Sequence, residues 1–440
     1  MDFNKAKTSK IFFEYIIPQI IGLFFNSIYF IVDGIFIGNR LGSEVLAAVG
    51  VAVPLVSFTY AISMLIAIGA GVRISIFKGQ GKPEKAREIF NIINLFTLGF
   101  SLAYMLFGLL FLEQISKILG ANSETIKDVM TYLKFYIMFS PFYIFSFVLS
   151  TFVRNDDNPN IAMWSLTVGA VANIVLDYIL MYPLNMGLAG AALATGLGPV
   201  FSVLIVFPHF TRKKGILFFE KTKFDFKVVK RALFEGIPGF ISEFSLGFVT
   251  FLYNIAIIKH GIGNHGLAIY LVLGYAILIV INFYIGSGQG IQPAISYLDG
   301  YGNHKRIKQL FISAIKFNVI SAFIMYIFLY FMGDYFYGLF IKDSSSLLLD
   351  TIYAGKIYFI NLPFTSINMA IIAFLQSLSK VKEAMFLSLV RNTLPLICFL
   401  FILPKFFDIT GLWMAITCAE ILSLVVSGFV WSKEWKRLSN

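Results

Sequence analysis

Residues 16–38 read IIPQIIGLFFNSIYFIVDGIFIG, and residues 161–182 read IAMWSLTVGAVANIVLDYILMY. As helices, each is long enough to cross the roughly 30 Å of bilayer hydrocarbon. Each is almost wholly apolar yet carries one acid late in its run, Asp33 in the first and Asp177 in the second. An ionisable group in hydrocarbon costs roughly 3 kcal/mol on insertion scales, so it usually marks an ion or substrate path. A carboxylate near a helix end can instead reach back to headgroup water. Two such acids in the same half of a duplicated chain weaken that reading.

The rest of the chain extends the pattern. Of its 440 residues, 58% are hydrophobic and 13% charged. A soluble protein could not hide so much apolar surface, whereas a polytopic membrane protein faces it to lipid. Twelve runs qualify as spans, near 11–37, 46–77, 89–112, 130–153, 160–182, 187–208, 233–258, 267–292, 309–332, 351–375, 384–404 and 411–432. The second is overlong and holds Pro54, which predicts tilting or bending. The basic N-terminal segment runs into a long apolar stretch without a small-residue cleavage site, so it is expected to stay as the first span.

Charge follows topology. With both termini on the cytoplasmic face of the membrane, that face receives 26 of the 35 Lys and Arg residues, Arg154 among them. The outer face receives eight, and Arg391 lies within a span. This bias accounts for the net charge of +11 through orientation and anionic membrane lipid, with no need for nucleic acid. Cys398 and Cys418 lie in apolar segments without metal-ligand spacing. Nucleotide-binding and iron–sulfur patterns are absent, and GSGQG (286–290) ends an apolar run, which reads as close helix packing. No enzyme chemistry and no cofactor are expected, and the chain is read as a monomer.

The two halves resemble each other. Pro18 matches Pro238 at an offset of 220, GQGK (79–82) matches GYGN (300–303) at 221, and Pro141-Phe142 matches Pro363-Phe364 at 222. Ala162-Met163 matches Ala384-Met385 at 222, and Gly187-Leu188 matches Gly411-Leu412 at 224. Six spans is an even number, so both halves start on the same side of the membrane. The expected fold is all-α and integral to the membrane: twelve helices in two six-helix bundles related by a parallel pseudo-two-fold repeat. The boundaries are an N-terminal lobe at 1–208, a basic cytoplasmic linker at 209–232 and a C-terminal lobe at 233–440, with substrate expected between the lobes.

Tyr29 and Asp33 are four residues apart, as are Asn173 and Asp177, so each pair shares a helix face. Thr195 falls about eight residues into span 6, which puts all five at similar depth in the first lobe. Two carboxylates, an amide, a hydroxyl and a phenol suit a proton or a small hard cation. Sodium at Asp33, Asn173, Asp177 and Thr195 is one option. In the second half Asp33 maps onto Asn254, while Asn173 and Asp177 map onto Pro395 and Phe399, so coupling belongs to the first lobe. Glu243, near mid-depth in span 7, is a candidate to bind a cationic substrate or carry a proton, or to hydrogen-bond a neighbouring helix. Glu420 in span 12 reads as a structural partner or a functional acid, and Arg391 could neutralise either glutamate. Aromatic residues make up 17% of the chain, and those facing a cavity would favour lipophilic cations.

The chain resembles the multidrug and toxic compound extrusion (MATE) transporters, most closely their bacterial MepA-like branch. The similarity is carried by IVDGIFIGNRLGSEVLAAVGVAVPL (31–55), NIVLDYILMYPLNMGLAGAALATGLG (173–198), GIPGFISEFSLG (236–247) and GQGIQPAISYLDGYG (288–302). The resemblance implies two six-helix lobes around a cavity with alternating access. It implies efflux of amphipathic, mainly cationic drugs by H⁺ or Na⁺ antiport. It also implies ion coupling at Tyr29, Asp33, Asn173, Asp177 and Thr195, a helix 1 bend at Pro18 and an acidic role for Glu243. A helix 10 aspartate used in another branch is absent, with Thr365 and Ser366 near Pro363 instead, and FKGQGKPEKA (77–86) departs from the usual helix 2 ending. The alternative is a lipid or lipid-linked oligosaccharide flippase of the same superfamily. Those have more spans and several cavity arginines, against one intramembrane arginine, Arg391, expected here.

Overall fold

In the computed structural model, residues 2–341 and 345–438 are described, and all regular structure among them is helical. Among the described residues, twelve helices are long and apolar enough to span a membrane. The first six are α1 (Thr8–Leu41), α2 (Glu44–Gly79), α3 (Pro83–Leu110), α4 (Ile126–Asn155), α5 (Pro159–Met181) and α6 (Gly187–Thr211). The second six are α7 (Phe226–Lys259), α8 (Gly263–Tyr301), α9 (His304–Gly338), α10 (Ser346–Ser377), α11 (Val381–Ile402) and α12 (Pro404–Arg437). Every expected span is present. Local chemistry sets the ends: Pro83 and Pro159 open α3 and α5, where no intrahelical N–H is needed. The Asp225 carboxylate accepts from the Lys227 amide at 2.8 Å to cap α7.

Several spans are interrupted. In α1 a π-helical turn at Phe12–Ile16 immediately precedes Pro18, and the Ile17 amide reaches back to the Phe12 carbonyl. This wide turn, two residues before Pro18, sits where the proline lacks an N–H to donate. In α10 a 3-10 turn at Phe359–Asn361 precedes Pro363. In α11 the chain leaves helical geometry at Thr393, two residues before Pro395. Pro54 is carried inside α2 without breaking it. Helix α6 runs to Thr211 and α7 starts at Phe226, so the irregular connection is shorter than the basic stretch 209–232.

That connection is strapped to the first half. Asp156 accepts from the Ile216 amide at 2.9 Å and from the buried His209 imidazole at 2.7 Å. Arg87 donates to the Ile216 carbonyl at 2.9 Å and lies 3.8 Å from the Phe218 ring centroid. Asn91 bonds the backbone of both Phe218 and Glu220.

The halves meet through α1, α2, α7 and α8. A side chain at Gly79 of α2 would collide with the Tyr297 carbonyl of α8, and one at Gly300 of α8 with the Ile76 carbonyl of α2. Tyr297 and Gly300 lie 221 residues after Ile76 and Gly79, the repeat offset itself. The pattern recurs beside it. Gly69 of α2 abuts Ala232 of α7 and Gly236 abuts Leu65, while Gly290 and Gly286 of α8 abut Ile16 and Ile20 of α1. Matching faces meet about a pseudo-two-fold axis, as in an isologous dimer interface. The expected parallel repeat is therefore visible as packing, and GSGQG is the close contact the sequence suggested.

All these contacts lie toward the end of the bundle that carries both termini. An ion pair between Arg73 of α2 and Glu235 of α7 at 3.0 Å reinforces them. Toward the opposite end, Gly34, Gly50, Gly247 and Gly274 of the same four helices meet nothing within 4 Å. The halves are sealed on the terminus side, while toward the other end these four glycines face open space.

Candidate functional site

Two polar centres occupy the bundle. The first is built by α1, α5 and α6, which pack against one another within the first half. Asp33, Asn173, Asp177 and Thr195 are all buried there. With its amide oriented to satisfy both groups, Asn173 donates to Asp177 Oδ2 at 3.2 Å and accepts from the Thr195 backbone N–H at 3.1 Å. The Thr195 hydroxyl donates to the Ala191 carbonyl at 3.0 Å. Asp33 Oδ1 and Asp177 Oδ1 are buried without a hydrogen-bond partner among the described residues. Asp33 is the electrostatic neighbour of Asp177, of Tyr29 on α1 and of Tyr132 on α4. A buried carboxylate oxygen with no donor demands a proton or a cation, because desolvation is otherwise uncompensated. The groups singled out in the first half come together. Tyr29 is half-buried and stacks on Phe30, with centroids 4.6 Å apart.

The second centre is a cavity of about 80 Å³ next to the terminus-side seal. Most of its wall comes from α7, α8, α10 and α11, with Met64 and Ile68 of α2 and Arg154 of α4 closing it from the first half. Its wall is largely apolar, with Ile281, Ile285 and Met369 beside Gln289, Gln292 and Gln376. Glu243 lines it and forms no ion pair among the described residues. Arg391 also lines it, but its Nε–H donates to Glu420 at 2.8 Å, and Asn368 donates to the same carboxylate at 2.7 Å. Arg391 therefore neutralises Glu420 and leaves Glu243 alone.

Arg154 corrects the sequence reading. Counted there as an inner-face loop charge, it is only 1% exposed and faces this cavity, so Arg391 is not the one arginine within the bundle. It donates to Gln19 Oε1 at 2.5 Å, and Gln19 donates onward to Gln289 Oε1 at 2.8 Å, linking α4, α1 and α8. Its position beside Asn155, Asp156 and Asp157 disguises it as part of a polar loop. Pro18, also buried, sits one residue from Gln19 at the same level.

The MatE family model matches residues 18–179 and again 238–402, the second match beginning 220 residues after the first. The chain belongs to the MatE family. Its similarity to curated relatives runs nearly end to end. It is 26% identical over 427 residues to the multidrug export protein MepA of Staphylococcus aureus, covering 96% of this chain and 92% of that one. It is 27% identical over 436 residues to MepA of Staphylococcus haemolyticus, covering 97% and 94%. The fold matches that of a MOP superfamily transporter from Pyrococcus furiosus with a TM-score of 0.93, at 22% identity over 100% of this chain and 98% of that one. The chain is thus a MATE transporter of the MepA-like branch, a multi-pass membrane protein of a multidrug efflux family and not an enzyme.

Proposed function

We propose that this chain exports amphipathic, mainly cationic drugs across the bacterial cell membrane by antiport, with the proton as coupling ion at Asp33 and Asp177. The observation that carries this reading is the pair of orphaned carboxylate oxygens in a buried site whose neighbours are already committed. Two anions there call for a countercharge. Asn173 favours the proton over sodium, since its amide nitrogen is turned toward Asp177 and its oxygen is held by the Thr195 amide. A sodium ion prefers a shell of free oxygens, and here Tyr29 and the Thr195 hydroxyl would have to supply the remainder. Glu243, without an ion partner among the described residues and lining a largely apolar cavity, supports cationic substrates.

With both termini cytoplasmic, the sealed end faces the cell interior, one of two states in an alternating-access cycle. The lobes at 1–208 and 233–440 would move about the glycine contacts, with 209–232 as the connection and membrane lipids around a monomer. Protonation of the aspartate pair from outside, and its deprotonation inside, would bias the two states differently, which is what coupling requires.

The test is efflux of ethidium from proteoliposomes with pH and sodium gradients imposed separately. A pH gradient alone should drive transport, and Asp33→Asn and Asp177→Asn should each abolish it. Transport driven by sodium alone would overturn the proton assignment, and transport indifferent to both gradients would overturn antiport.

A further inference from the structure

We propose that Arg154 is a second substrate-binding pole of the central cavity, so that drugs bearing a carboxylate together with a cationic group are recognised at both ends. The inference rests on the cavity serving as the substrate site, as in the function proposed above.

Three observations converge on it. Arg154 lines the cavity while being 1% exposed, and it forms no ion pair among the described residues. Of the five N–H donors of its guanidinium, one reaches Gln19 at 2.5 Å and another reaches Thr151 at 3.5 Å, while Nε–H is buried without an acceptor. Buried guanidinium groups are ordinarily paired, because the desolvated charge is otherwise uncompensated. The other arginine on the same wall obeys that rule with Glu420. Arg154 breaks it while lining the cavity.

The shape of the group identifies its complement. A guanidinium is a planar fork that matches a carboxylate through two parallel hydrogen bonds. Glu243, the unpaired acid on the same cavity wall, makes no contact of ion-pair length with Arg154. The cavity thus presents an acid from α7 and a guanidinium from α4, each free to take the opposite charge of one ligand. The two poles belong to different halves, so a ligand held by both would bridge them.

The measurement uses a matched pair, rhodamine B with its free carboxylate and the ethyl ester of rhodamine B, bound to the full-length protein in nanodiscs and read by fluorescence polarisation. Arg154→Gln should weaken rhodamine B at least tenfold and change the ester less than twofold, with Arg154→Lys intermediate for the acid. Glu243→Gln should weaken both dyes, since both carry the cation. The ester doubles as a folding control, because a damaged fold loses both ligands. Equal loss of both dyes in Arg154→Gln and Arg154→Lys, or loss of neither, would overturn the proposal. Failure of the ester to bind or be exported by the unaltered protein would instead overturn the cationic reading above, and the two failures are separable.

Discussion

At the scale of single residues, the buried charges fall into two kinds with opposite consequences. Arg391 and Glu420 satisfy each other, so removing one strands the other. Arg391→Met should lower unfolding stability by about 3–5 kcal/mol, read as a clear drop in melting temperature of the purified protein. Asp33 is stranded already. Asp33→Asn should abolish proton-driven efflux while leaving melting temperature unchanged or raised; a fall as large as that of Arg391→Met would assign Asp33 to the fold. The contrast also explains what was legible. Asp33, Asp177 and Glu243 stand out because each interrupts an apolar run, and the four-residue spacing of Asn173 and Asp177 fixes a shared face. Arg154 was hidden because burial there comes from α1 and α8, which are distant in sequence, while its neighbours Asn155 to Asp157 read as solvent-exposed.

At the scale of the element, α1 joins the ion site to the seal. Asp33 lies in its C-terminal part, away from the seal, and the π-helical turn at Phe12–Ile16 with Pro18 lies where Gly286 and Gly290 of α8 press against it. Pro18→Ala restores an N–H and permits a regular helix through this point. Turnover should slow severalfold with substrate affinity changed much less. A spin-label distance across α1, compared at low and high pH, should respond in the unaltered chain and stay fixed in the variant. Unchanged turnover with a pH-independent distance would exclude bending as a transport step. The proline itself is readable in the sequence, but the wide turn before it is not, since only Thr8–Ile11 of α1 precede it, too short a run for the shift in hydrophobic phase to show.

At the scale of the whole molecule, the seal consists of backbone laid on backbone. Bulk at Gly236 would meet the Leu65 carbonyl and cannot be absorbed by a side-chain rotation. Gly236→Leu should therefore disfavour the sealed state, exposing cysteines placed in the central cavity to a membrane-impermeant reagent from the terminus side. Efflux should fall at least tenfold, while the protein remains monodisperse. Labelling equal to that of the unaltered chain would mean the seal lies elsewhere. The duplication was legible because its offsets stay within four residues, and the glycines that pack across it were partly legible as GSGQG and GQGK. Which end is shut was not, because one sequence must serve both states.

The strap between α6 and α7 bears on how the protein is made. Its anchors Arg87, Asn91 and Asp156 all precede it in the chain, so each bond can form as residues 216–220 leave the ribosome. The first half can then finish its own assembly before α7 has been translated, and the second half needs only a complementary face to dock against. A gene cut after residue 223 and expressed as two polypeptides should reconstitute efflux, whereas a cut after residue 213, which puts the strap on the wrong fragment, should not.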